Sequence, residues 1–113
     1  MARANFVNVD GAQVAYRVQG KGLAVVLVNG AGAQDVQWGP LIERLSSQRT
    51  VISLDYSGAG DTVDDGSALT LEKVSRQVMG VAEAAGAETF DLIGYSLGSV
   101  IATFIAADYW TRS

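Results

Sequence analysis

The stretch FDLIGYSLGSVIATFIAA, residues 90–107, holds an apolar run of strand length, a Gly-x-Ser-x-Gly turn and then an apolar segment long enough for a helix. Gly94 and Gly98 flank Ser96 closely enough for a strand to reverse into a helix with the serine at the apex, its hydroxyl exposed. A Cβ at either glycine would collide with the neighbouring strand or helix. The segment after the turn reads as an amphipathic helix, and the amide of Leu97 at its positive end is suited to stabilising an oxyanion. The same five residues would also fit a serine that merely caps a helix between two packing glycines; the strand before them and the helix after them favour a nucleophile. Such a serine needs a base, usually histidine, and the 113 residues contain none.

Working outward from this turn, strands and helices alternate. FVNV and AQVAYRV around Asp10-Gly11 predict an antiparallel hairpin, because Asp-Gly accepts the positive φ of a tight turn. LAVVLV and TVISL are continuous β-branched runs suited to strands buried on both faces. GPLIERLSSQ places Pro40 in the first turn of a short helix with Leu41, Ile42 and Leu45 on one side. From Thr70 to Ala85 the positions Leu71, Val74, Val78, Val81, Ala82 and Ala85 recur at helical spacing, and Gly86 is a natural stop. The order β-β-β-α-β-α-β-α predicts an α/β fold: an N-terminal hairpin leading into a mostly parallel sheet with helices on both faces, in one domain spanning residues 1–113. Glycine-rich loops around Gly30, Gly58 and Ser96 each follow a strand, so they should converge at the carboxyl edge of the sheet.

Composition narrows the function. A formal charge of −4, with 8 basic and 12 acidic residues scattered along the chain, argues against nucleic acid or an anionic membrane as partner. With neither cysteine nor histidine, thiol catalysis, disulfides and good zinc ligands are all excluded, so no metal and no organic cofactor is expected. The longest apolar runs are too short to span a membrane and no basic-then-apolar leader opens the chain, which makes the cytoplasm the default compartment.

VVLVNGAG, VISLDYSGAGDT and LIGYSLGS, preceded by the hairpin, stand in the order and approximate spacing of the N-terminal half of an α/β-hydrolase, and the chain resembles that family over nearly its whole length. The resemblance implies Ser96 as nucleophile and the amides of Leu97 and Ala31 as oxyanion donors. Asn29-Gly30 stands where the family usually has His-Gly, a structural rather than catalytic histidine. DYSGAGDT is similar to the family's Asp-x-Arg-Gly-x-Gly-x-Ser loop, with Ser57 for arginine and Thr62 for serine, which makes Asp55 a loop-ordering residue alongside Asn29, Gly30, Gly94 and Gly98. The resemblance further implies a triad acid and a histidine beyond Ser113, and hydrolysis or transfer of a small-molecule acyl group through an acyl-serine. Serine at the elbow, in place of aspartate, argues against the family's epoxide hydrolases and haloalkane dehalogenases.

Two other readings compete. LAVVLVNGAGAQD followed by VISLD imitates a dinucleotide fingerprint through Gly30, Gly32 and Asp55, but Asp35 replaces the third glycine and Trp38-Gly39-Pro40 delay the helix. Alternatively the chain is an inactive or split half-domain, since the apolar TFDLI expects a neighbour on both sides; a complementing C-terminal half or a second copy of the chain would supply one. Asp61, Asp64 and Asp65 are read as a solvated acidic loop, Trp38 as a packing anchor before a short helix, and Tyr95 as a rim residue without chemistry.

Overall fold

A computed structural model describes residues 4–29, 38–57, 61–95 and 97–112, with side chains up to residue 107. The hairpin pairs β1 (Asn5–Val9) with β2 (Ala12–Gln19), and at its tip Asp10 and Gly11 take φ of 51° and 94°, the left-handed pair that matches the strand twist. Then come β3 (Leu23–Val28), α1 (Gly39–Leu45), β4 (Arg49–Asp55), α2 (Leu71–Ala84), β5 (Phe90–Gly94) and α3 (Leu97–Arg112), the order expected from the sequence.

The five strands form one mixed sheet in the order β1-β2-β4-β3-β5, with β1, β2 and β4 joined antiparallel and β4, β3 and β5 joined parallel. Leu27 pairs with both Ser53 and Ile93, and Val28 with Gly94, so the carboxyl ends of the three parallel strands finish level. Alternation along β3 and β4 explains why their sequences are apolar throughout. Val26, Val28, Ile52 and Leu54 face Val78 and Val81 of α2 and Ile101 of α3, whereas Val25, Leu27 and Val51 face Trp38, Ile42 and Leu45 on the other side.

Two expectations about the helices need correction. Leu41 does not join Ile42 and Leu45 but stays 36% exposed. Each helical residue turns by about 100°, so a stripe centred on Ile42 and Leu45 leaves Leu41 at its rim. Helix α3 is not amphipathic: Ile101 and Ile105 are buried beneath it, yet Leu97 and Val100 stand exposed on its outer side. Strand β5 forms the sheet edge opposite β1; Phe90 and Leu92 pack into the core while Ile93 is exposed. Among the described residues no helix is long and apolar enough to cross a membrane.

Candidate active site

The level carboxyl edge of β4-β3-β5 carries the candidate site. Ser96, Ala31, Gly30 and Gly58 lie outside the described residues; Asn29, Asp55, Gly94, Leu97 and Gly98 lie within them. The described residues on either side of position 96 are tied down. Tyr95 donates its amide to the Val28 carbonyl at 3.1 Å, and Gly98 donates its own to the Tyr95 carbonyl at 2.9 Å. Helix α3 therefore starts against the end of β3 as well as that of its own strand. An ideal Cβ on Gly94 would stand 2.3 Å from the Gly98 carbonyl oxygen, and one on Gly98 only 2.0 Å from that of Val28 and 2.6 Å from that of Asn29. These contacts are with backbone, which cannot swing aside, so both glycines are required by close approach. Leu97 opens the helix with its side chain 37% exposed.

Asn29, wholly buried, directly follows the end of the neighbouring strand β3. Its Nδ2 donates to the Leu54 carbonyl at 3.2 Å, its Oδ1 accepts from the indole Nε1 of Trp38, and its own carbonyl accepts the Tyr56 hydroxyl at 3.2 Å. Burial raises the Tyr56 phenol above its ordinary pKa, so it stays a donor. The Trp38 ring meets that of Tyr95 edge to face, with centroids 6.3 Å apart. Trp38 thus anchors α1 as expected and also touches the residues at both loop ends. Tyr95, 58% exposed, lies at the rim.

Asp55, also wholly buried, accepts from the Asp61 amide at 3.0 Å and from Arg17 at 3.3 Å through Oδ2, while its Oδ1 has no partner among the described residues. Its carbonyl accepts the Thr62 hydroxyl, which in turn accepts the Ala15 amide at 2.9 Å. Both ends of the loop after β4 are thereby tied to the hairpin.

The acidic run is more than a solvated loop. Asp61 pairs with Arg17 at 2.9 Å, and the Lys73 ammonium, its side chain 8% exposed, donates to Asp64 at 2.7 Å, Asp65 at 2.9 Å and the Ser67 carbonyl at 3.0 Å. The lysine holds both carboxyls below the usual carboxylate range, and they raise the lysine in return. A sequence cannot show which cation folds back onto an acidic run. Gln77 was missed as well, although it sits on the apolar stripe between Val74 and Val81, where a polar residue signals a buried partner. Its partner is Ser57.

The sequence matches the alpha/beta hydrolase fold family over residues 24–113, and the described strands and helices agree with that fold. The chain belongs to that family, which sets aside the dinucleotide-binding reading. It is 46% identical over 106 residues to a pyrrolizixenacetamide deacetylase of Xenorhabdus hominickii, covering 93% of this chain and 40% of that protein. It is 36% identical over 88 residues to a pimeloyl-[acyl-carrier protein] methyl ester esterase of Aliivibrio salmonicida, covering 78% of this chain and 32% of the esterase. The solved structure of an alpha/beta hydrolase from Sphaerobacter thermophilus superposes with a TM-score of 0.84 at 33% identity, covering 92% of this chain and 40% of that one. The chain spans about two fifths or less of the length of these relatives.

Proposed function

We infer that Ser96 is the nucleophile of a serine hydrolase acting on small acylated compounds, with the amides of Leu97 and Ala31 receiving the oxyanion. The observation that carries this reading is the contact of Gly98 with the carbonyls of Val28 and Asn29. A serine that only capped a helix would not need α3 driven against the neighbouring strand. That contact brings the amide end of α3 beside the point from which the segment bearing Ala31 departs. In the proposed reaction Ser96 Oγ attacks the acyl carbon as its proton passes to a histidine. The tetrahedral oxyanion collapses, the alcohol or amine leaves with that proton, and water then releases the acid from the acyl-serine. The deacetylase cleaves an amide by name and the esterase an ester, and one acyl-serine route serves both.

The histidine and the triad acid are assigned to sequence outside these 113 residues, and the chain alone is expected to turn over barely or not at all. A second reading, an incomplete half that a further polypeptide completes, is favoured by the edge position of β5 among the described strands and by the exposed Leu97 and Val100 on α3. The test is hydrolysis of an activated ester and an anilide, with fluorophosphonate labelling. It compares the chain alone with a protein completed to the length of its relatives, each with Ser96 and with Ser96→Ala. Serine-dependent turnover only in the completed protein is expected. Turnover there that ignores Ser96→Ala removes the nucleophile.

A further inference from the structure

On the face of the sheet that carries α1, the register aligns Arg17 with Ser53 and Gln19 with Val51, so β2 and β4 present these side chains together. Helix α1 has seven residues and packs over Val25, Leu27 and Val51; among the described residues α2 and α3 pack on the opposite face. A cavity of about 800 Å³ is left beside α1, with Arg17, Val51 and Ser53 on the strand side and Pro40, Ile42 and Glu43 on the helix side. We propose that this cavity binds a small organic ammonium compound, its apolar body on Val51, Pro40 and Ile42, its ammonium group donating to Ser53 Oγ and drawn by the Glu43 carboxylate. The proposal does not rest on the serine-hydrolase reading above.

Ser53 carries the argument. It interrupts the apolar run TVISL, is only 2% exposed, lines the cavity, and has no hydrogen-bond partner for its hydroxyl among the described residues. A buried hydroxyl without a protein partner costs stability unless a molecule beside it supplies one. Charge selects the kind of molecule. Arg17 is the cation among the lining residues, yet Asp55 and Asp61 hold it at 3.3 and 2.9 Å, so an anionic ligand would compete with two carboxylates already in place. Glu43 is exposed and forms an ion pair with no cation among the described residues. Asp55, Asp61 and Glu43 thus outnumber Arg17, on a chain of formal charge −4, and the local field favours a cation. An ammonium group brings three N–H donors and no acceptor, matching a hydroxyl and a carboxylate that can both accept. The volume lies within the range of pockets that take small ligands, roughly 300–1,000 Å³.

The experiment titrates the isotope-labelled 113-residue chain with phenethylamine, 2-phenylethanol and 3-phenylpropionate, which share a ring and differ in the charge of the end group, and follows amide shifts by NMR. Phenethylamine should give saturable shifts at Gln19, Ile42, Val51 and Ser53, with the alcohol binding roughly tenfold more weakly and the carboxylate not saturating. Ser53→Ala should weaken the amine roughly tenfold. Glu43→Gln should weaken it roughly twofold to fivefold, and added salt should weaken it as well. Glu72→Gln, at an equally exposed carboxylate in the first turn of α2, should leave binding unchanged. If Ser53→Ala does not fold, the Glu43→Gln and salt comparisons decide. Equal binding of amine and alcohol, tighter binding of the carboxylate, or amine binding indifferent to Glu43→Gln overturns the proposal. So do shifts of the same amides with protein concentration that the amine fails to reverse, since the cavity would then be a contact between two copies of the chain.

Discussion

Gln77 and Ser57 are joined twice beneath the candidate site: the Ser57 amide donates to Gln77 Oε1 at 2.8 Å, and Gln77 Nε2 donates to the Ser57 hydroxyl at 2.6 Å. Gln77 is 1% exposed and Ser57 2%, so water cannot replace either bond. Gln77→Leu keeps the apolar stripe of α2 but strands a buried N–H, which costs about 1–3 kcal/mol. Ser57→Ala in turn strands the buried Gln77 Nε2–H and should cost a similar amount. Urea denaturation of the three proteins checks both losses, and a Gln77→Leu midpoint equal to wild type would refute the pairing.

Gly98→Ala reverses a familiar sign. In an ordinary helix the change from glycine to alanine stabilises by about 1 kcal/mol. Here the added carbon would lie 2.0 Å from a strand carbonyl, so the variant should lose several times that amount, on the order of 3 kcal/mol or more, or fail to fold. Gly39→Ala meets nothing within 4 Å beyond its chain neighbours, so its cost should be limited to the strain of a helical residue before Pro40 and stay well below that of Gly98→Ala. Thermal melting of both settles the comparison.

The Lys73 cluster predicts a pH window. Asp64 and Asp65 titrate below their unfolded values, so their contribution is complete above the ordinary carboxylate range near pH 4 and disappears as pH falls through their folded pKa values. The lysine, raised by the same contacts, keeps its contribution at neutral pH and loses it only as the solution passes above its ordinary 10.5. Lys73→Met retains most of the stem and removes the charge. Its melting deficit against wild type should be steady from pH 6 to 8 and shrink in acid, roughly below pH 4. A deficit that grew in acid would contradict the assignment.

Exposed apolar groups at one edge predict association. Ile93 and Val100 are 37% and 51% exposed, on the edge strand and on the outer side of α3. Sedimentation velocity of the 113-residue chain should show concentration-dependent self-association that Ile93→Lys with Val100→Lys reduces. A concentration-independent monomer would mean that this edge closes on itself.

What the sequence made legible was what local chemistry dictates. LAVVLV and TVISL announce strands covered on both faces because each alternate residue meets a different helix layer, and Asp10-Gly11 announces its turn through backbone preference alone. The glycines at 94 and 98 were legible as sites of close approach. Pairings across long stretches of chain were hidden: Gln77 with Ser57 spans 20 positions and Arg17 with Asp55 spans 38. Neither residue type names its partner. The outer side of α3 misled for a related reason: Leu97 and Val100 stand exposed among the exposed Ser99 and Thr103, so apolar and polar residues do not divide into two faces.

Sheet order also shapes how the chain assembles. β3 is central, yet β5, the neighbour that closes its second edge, begins 62 positions after Val28 at Phe90. As the polypeptide leaves the ribosome, the β3 edge stays open until that strand arrives, and an open apolar edge recruits other chains. The hairpin can form early from neighbours in sequence, whereas the edge of β3 must wait for β5 and the helix behind it. A shortened chain of residues 1–89 should therefore aggregate more readily than residues 1–113, which a comparison of soluble yield after refolding would decide.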